Sequence, residues 1–319
     1  MSLTSAPLHG VRRAAPGLRL VTGLLLLAAL LWRFGTGPFA DAWRVTTWGS
    51  VTAALVLTAL ATLANAWRWR VIAVALGAPL TLAGSVTAYY RSQFLNATLP
   101  GGVLGDAHRG VRHGRDAGHL AVGLRATAWD RLTGQVVQIG LLAVALAVLP
   151  TTLRGYSAVA LAALGAVAAA GWWLARRRGA VAFVGGDLRL LARPGVAARV
   201  VLASCLSTAA HAAVVVVAVA VVGVDAAPST LVAIALAVLV GAAVPLNVAG
   251  WGPREGITAG VFGLAGLGSA TGLTVSVVFG VLAGVATVPG LLVLVADAVV
   301  CRRAVTAEPA RPLEEACRG

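Results

Sequence analysis

Charge is the scarcest property of this sequence. Only 11% of its 319 residues are Asp, Glu, Lys or Arg, against 59% hydrophobic residues, and mean hydropathy is +0.89. That balance excludes a soluble globular domain. Lysine is missing altogether, so the net charge of +14 is carried by 25 arginines. The charge does not point to nucleic acid, because the arginines lie between apolar runs and form no basic polar face. Cysteine is sparse: Cys205, Cys301 and Cys317 fit no metal or redox spacing and are expected to be free thiols. His9, His108, His113 and His119 show no metal-ligand spacing, and His211, deep in an apolar run, reads as a packing residue. No Ser/His/Asp, Cys/His or paired-carboxylate arrangement stands out, and no nucleotide-binding motif is present. The expectation is a protein that is not an enzyme and needs no cofactor or metal.

What the chain has in quantity is apolar runs of bilayer-crossing length, about 20 residues each. They fall at about 18–34, 47–66, 122–149, 153–174, 197–222 and 270–300. The first follows Arg12 and Arg13 and precedes Ala-Asp-Ala at 40–42, which imitates a cleavable signal peptide. The topology below needs it retained as a span. The chain then divides into a cytoplasmic N-terminal segment (1–17), one transmembrane domain (18–303) and a cytoplasmic tail (304–319).

Two further apolar stretches, at about 80–118 and 229–268, are each broken near the middle by Pro, Gly and charge. Broken backbone and ions at membrane depth are costly, because no water is there to satisfy them. A pair of such interruptions in the two halves of a chain points to a transporter's binding site. Arginine placement orients the chain, since short cytoplasmic loops carry the excess of positive charge. Arg12, Arg13, Arg19, Arg68 and Arg70 read as cytoplasmic, and so do Arg109, Arg112, Arg115 and Arg125 after the first broken stretch. A stretch that begins and ends on one side is a re-entrant hairpin, turning here at Pro100-Gly101-Gly102. The second turns at Gly250-Trp251-Gly252-Pro253 and enters from the other face, because Arg176–Arg178 and Arg302-Arg303 are both cytoplasmic. About 20 arginines then lie inside, with Arg33, Arg44 and Arg154 outside and Arg91 and Arg254 within the hairpins. The fold class is an all-α polytopic membrane protein of about six full transmembrane helices plus two opposed re-entrant hairpins, a candidate inverted repeat. The alternative of eight plain spans carries Arg109–Arg125 to the outer face.

At each break a new helix can start. Pro100 cannot continue a helix and Gly101 and Gly102 let the chain turn, so that Asp106 and Arg109 fall on one helix face, three residues apart. At the second break Gly252 is a plausible cap, Pro253 suits the first helical position, and Glu255 sits in the first turn beside Arg254. Two helix N-termini would face each other near mid-depth with Arg254 and Arg91 close by, an arrangement suited to phosphate. Asn96 and Asn247 lie just before the breaks, where their amides could bind a headgroup or satisfy freed carbonyls. Gly101, Gly102, Gly250 and Gly252 shape the turns. In the span after the first hairpin, Asp130 needs a cationic partner such as Arg109, Arg125 or Arg91, whereas Arg131 could simply snorkel to the interface. Asp297, next to Arg302-Arg303, reads as interfacial.

These residues carry a resemblance. The block FLN-x-x-LPGG-x-x-GD-x-x-R (Phe94 to Arg109), the pair Asp130-Arg131 and the block PLN-x-x-G-x-G-x-RE-G (Pro245 to Gly256) resemble, in order and separation, the membrane region of lysylphosphatidylglycerol synthases. That flippase-like domain also occurs as stand-alone integral membrane proteins. The resemblance covers about 80–300 and implies a polytopic domain that moves or binds lipid across the cytoplasmic membrane, the lipid in bifunctional members being an aminoacylated phosphatidylglycerol. About 16 residues follow Arg303, too few for an aminoacyl-transferase domain, so the chain is expected not to make the lipid. The leading expectation is a lipid flippase-like transporter in the cytoplasmic (inner) membrane with both termini inside. Its partner is a membrane phospholipid or a polyprenyl-phosphate-type lipid, and no nucleic acid. The alternative is a non-transporting subunit that presents lipid to a separate lipid-modifying enzyme, such as a glycosyltransferase or aminoacyl-lipid synthase. A membrane-embedded enzyme using Asp106, Asp130 or Glu255 is the third reading.

Overall fold

The computed structural model describes residue 32 and residues 35–99, 102–148, 181–242 and 253–307, and every regular element among them is a helix. Apart from Trp32, the expected spans at 18–34 and 153–174 lie outside the described residues, as do Pro100, Gly101, Asn247, Gly250 and Gly252. The helices are α1 (Gly37–Val45), α2 (Trp48–Ala75), α3 (Leu82–Thr98), α4 (Leu104–Asp116), α5 (Leu120–Val148), α6 (Val181–Leu191), α7 (Pro194–Val222), α8 (Pro228–Ala242), α9 (Pro253–Leu264), α10 (Ser269–Ala286) and α11 (Val288–Ala307).

Local chemistry sets the ends of the long helices. α2 opens on a capping box in which Thr47 and Ser50 satisfy each other's backbone N–H groups. α7 begins at Pro194 and stops at Gly223, whose φ of 80° is the left-handed cap that glycine adopts without strain. α2, α7 and the α10–α11 run Ser269–Val300 are each long and apolar enough to cross a membrane. α10 and α11 are separated only by Thr287.

α2 and α7 pack along each other at the centre. They run antiparallel: Ala54, early in α2, shares a core with Val214–Val219, late in α7, while Arg68 and Val200 belong to the other end. α3 and α5 pack on α2 with α4 against both, α8 and α10 pack on α7 with α9 against both, and α5 also meets α8. Leu273, Val277, Val278, Phe279, Phe262, Ile234 and Val238 build the larger core with α7, and Trp69, Ile72, Tyr89 and Ala126 build the smaller.

Each of the two stretches holds two described helices that pack on each other, α3 with α4 and α8 with α9. At 1.5 Å per residue these four helices are about 25, 20, 22 and 18 Å long, each short of a bilayer core of about 30 Å. α2 runs nine residues past the expected end at 66, so Arg68 and Arg70 are helical residues and not loop cations. Trp69 and Ile72 continue the apolar face beyond Arg68, which is why the helix does not stop at the first charge.

Glycine lets α4 lie against its neighbours. A Cβ at Gly105 would strike the carbonyl oxygen of Ser92 and come within 2.9 Å of Asn96 Oδ1 on α3. Gly105→Ala is therefore expected to destabilise the protein by about 1–3 kcal/mol. Gly140→Ala, where nothing lies within 4 Å of the added carbon, is expected to be neutral or slightly stabilising. Thermal unfolding of both variants in detergent micelles checks the contrast.

Candidate functional site

The residues singled out around the first break converge on one buried cluster. Asp130, on α5, is fully buried and has both carboxylate oxygens occupied. Arg68 Nε, from α2, donates to Oδ1 at 2.8 Å. The Tyr89 hydroxyl, from α3, and Arg109 Nη2, from α4, both donate to Oδ2, the latter at 3.0 Å. Arg68 also donates to Ser204 Oγ on α7 at 3.2 Å. Four helices thus meet at one carboxylate, and Arg68 ties a fifth, α7, to the cluster.

Asp106 sits one turn into α4, where the helix dipole favours a carboxylate. It accepts from Arg109 Nη2 at 3.2 Å, from Ser92 Oγ at 3.0 Å and from Arg131 Nη1. The i,i+3 pairing expected for Asp106 and Arg109 is present. Arg131 does not simply snorkel; it ties α5 to Asp106 and approaches the carbonyl oxygen of Gly102 at 3.4 Å. Gly102 has φ 59°, the left-handed turn for which a glycine was expected.

The cluster holds Arg68, Arg109 and Arg131 against Asp106 and Asp130, a formal excess of one positive charge. Arg109 is 2% exposed, and its Nε and Nη1 have no hydrogen-bond partner among the described residues. Its guanidinium lies between two rings, 4.0 Å from the Tyr89 centroid and 4.4 Å from that of Trp69, an arrangement that suits a delocalised cation in an apolar setting. Arg131 keeps a third of its side chain exposed and marks the open side of the cluster.

Asn96 takes the structural option: its Oδ1 accepts the N–H of Gly105 at 2.8 Å, so one donor of the α4 N-terminus is already used. The positive end of this helix is met by Asp106 and Asn96, and Nε and Nη1 of Arg109 are buried donors without a partner among the described residues.

The second break builds a separate cluster. α9 begins at Pro253 with Glu255 in its first turn, as its sequence implies. Glu255 is fully buried and its Oε1 accepts from Arg254 Nε at 2.9 Å, from Arg254 Nη2 and from Ser276 Oγ at 3.3 Å. The Arg254 guanidinium lies 5.3 Å from the Phe279 centroid, and Gly280 makes room for it, since a Cβ there would come within 2.5 Å of Nη2. α4 packs on α3 and α5, whereas α9 packs on α8 and α10, so the two N-termini belong to different helix groups.

Arg91 does not join Arg254. It pairs with Asp297 on α11, together with Arg112. Gly280 and Asp297 are 17 residues apart in the α10–α11 run, about 25 Å of helix. Of the partners expected for Asp130, only Arg109 is one: Arg125 binds Asp187 at 3.3 Å. Arg68, Tyr89, Ser92 and Ser204 belong to the site without having been expected there. The Trp67-Arg68-Trp69 run was the available signal, a cation flanked by aromatics inside an apolar stretch. Among the described residues no group of three His, Cys, Asp or Glu side chains could hold a metal ion. His211 bonds the carbonyl of Ser207 on its own helix, and Cys205 carries a free thiol.

Compared with models of known families, residues 17–290 match the one described as the lysylphosphatidylglycerol synthase TM region. No curated protein and no solved structure matches the chain.

Removing one partner of a buried ion pair leaves an uncompensated charge, at a cost of about 3–5 kcal/mol. Asp130→Asn, which strands Arg68 and Arg109 together, is expected to destabilise by that amount. Tyr89→Phe, which removes one donor and no charge, is expected to cost about 1–2 kcal/mol. Asp187→Asn, whose partner Arg125 is a third exposed and whose Oδ2 also accepts the Trp129 indole N–H, should cost less than Asp130→Asn. Unfolding curves in micelles test this order.

Proposed function

The chain belongs to the lysylphosphatidylglycerol synthase transmembrane family, and from that premise we propose that it is a flippase-like lipid transporter whose Asp106–Asp130 cluster receives an anionic, phosphate-bearing headgroup. The observation that carries the reading is the excess positive charge buried among apolar helices, with two N–H groups of Arg109 unpaired. Ionisable groups at membrane depth are expensive and, by default, mark a substrate or ion pathway. A monoanion placed against Arg109 and Arg131 would bring the cluster to neutrality and supply the missing acceptors.

The depth of the cluster supports the same reading. The C-termini of α2 and α4 and the N-termini of α3 and α5 lie at one face, because short connections join Ala75 to Leu82 and Asp116 to Leu120. Counting from those ends, Arg68, Tyr89, Asp106 and Asp130 are each about 10–15 Å in. A headgroup held there sits well inside a hydrocarbon core of about 30 Å. The short lengths of α3, α4, α8 and α9 favour two opposed re-entrant hairpins over plain spans. We place the protein in the cytoplasmic membrane with both termini inside. Acyl chains stay in the bilayer while one helix group moves against the other, and no chemical step on the lipid is required.

Reconstitution tests the proposal. Liposomes containing the protein are expected to move a labelled phospholipid or polyprenyl phosphate between leaflets faster than protein-free liposomes. Arg109→Lys keeps the charge but loses the planar fork, and Arg131→Ala removes the cation on the open side; each is expected to slow transfer at least about tenfold. Arg199→Ala, at an exposed position, should leave the rate unchanged. A parent protein that moves neither lipid overturns the transporter reading. If it retains lipid through purification all the same, it becomes a subunit that presents lipid to another enzyme.

A further inference from the structure

Arg91, Arg112 and Asp297 form a further charged cluster, which the proposed headgroup site does not use. They come from α3, α4 and α11, and two guanidiniums converge on a single oxygen. Arg91 Nη1 donates to Asp297 Oδ2, and Arg112 Nη1 donates to the same atom at 3.0 Å. His108 interacts electrostatically with both arginines and with Asp297, and Asp116 acts on Arg91 from the exposed end of α4. The contacting groups carry two positive charges against one negative.

Arg91 is 5% exposed, and its Nε has no hydrogen-bond partner among the described residues. An arginine held only for an ion pair normally offers a carboxylate two parallel N–H groups. Here one edge of the fork is left without an acceptor. On the other side the cluster is open, because the side chains of Arg112 and Asp297 are 36% and 35% exposed. Arg112 lies three residues nearer the C-terminus of α4 than Arg109, about one turn closer to the face from which α3 and α5 enter. α11 reaches Arg91 because Gly290 abuts the backbone of Tyr90, where a Cβ would collide with the carbonyl oxygen.

We propose that this cluster is a second anion site, which takes a phosphate group at the mouth of the helix group α3–α5, with Asp297 as an internal occupant that competes for the two arginines. A phosphate offers three or more acceptor oxygens, enough for both Nη1 groups and for the unpaired Nε of Arg91. Asp297 supplies one oxygen to both arginines and leaves that Nε unserved. The phosphate can belong to a lipid headgroup or arrive as a free ion; the chemistry recognised is the same.

The test uses the full chain in detergent micelles at fixed salt, titrated separately with inorganic phosphate and with short-chain phosphatidic acid, and read by calorimetry. D297N removes the competitor and is expected to bind about tenfold tighter than the parent. R112A, at a position already a third exposed, is expected to bind about tenfold weaker. Binding of both probes shows that phosphate alone is read, and binding of phosphatidic acid alone shows that the acyl chains belong to the ligand; either supports the site. If D297N binds neither probe, or binds no tighter than the parent, the proposal is overturned. If D297N does not fold, the comparison of R112A with the parent decides: equal affinity overturns the site and weaker affinity supports it. Among the described residues no hydrogen bond or ion pair joins Arg112 or Asp297 to a member of the Asp130 cluster, so a negative result here bears on this site alone.

Discussion

The carboxylate of Asp130 is the point on which this half of the molecule depends. Taking an ion out of water costs several kcal/mol even after the protein relaxes, and the cost is met only when well-placed donors and opposite charge replace the lost water. Asp130 meets that condition with donors from α2, α3 and α4 while it sits on α5. None of α2, α4 and α5 can shift by a turn without stranding a charge, and a shift of α3 loses the Tyr89 donor. The carboxylate therefore fixes the register of four helices, which apolar packing between Leu, Val and Ala faces specifies poorly. In lipid this matters more than in water, because there is no hydrophobic force between helices to draw them into one arrangement.

Close approach is the second half of the same device. An arginine reaches a carboxylate on another helix only if nothing stands between them. A Cβ at Gly134 would lie 2.7 Å from Arg68 Nη1, so the guanidinium occupies space that any other residue would fill. Gly280 does the same for Arg254 on the other side of the molecule. The high glycine content is thus partly the steric condition for buried arginines. Both clusters use it, although they lie in different helix groups.

The all-helical fold and the two breaks were legible because they rest on local rules: apolar run length, the placement of Pro and Gly, and a first-turn carboxylate at Asp106 and Glu255. Asp130 stood out for the same reason, as an ion in an apolar run. Arg109 was among the partners considered for it, but Arg68 and Tyr89 were not. Arg68 is 62 residues away and Tyr89 41 residues away, and nothing local in a sequence measures the distance between helices. Arginine counting also misled in an instructive way. Arg68 and Arg109 were both counted as cytoplasmic cations reporting orientation, yet both are buried and bound to Asp130. A count of positive charge cannot separate an arginine that rests at the interface from one that a carboxylate has drawn inward. Arg91 was misplaced for the same reason: Asp297, its partner, is more than 200 residues along the chain.

The reliance on arginine is a consequence of these surroundings. A lysine moved into an apolar site gives up its proton readily, whereas a guanidinium stays charged, spreads that charge over a plane and stacks on rings. Arg109 between Trp69 and Tyr89, and Arg254 beside Phe279, use that plane. A carrier also has to let its cargo go. Permanently charged, unopposed arginines would hold an anion too tightly to release it. Each cluster here places a carboxylate within reach of the same arginines, Asp106 for Arg109 and Arg131, and Asp297 for Arg91 and Arg112. In the proposed cycle those internal anions would return to the guanidiniums when a headgroup leaves, so that the empty state costs less and binding is held to a moderate strength. A site that exchanges one anion for another, with charge nearly balanced at each stage, is one that a lipid headgroup can both enter and leave.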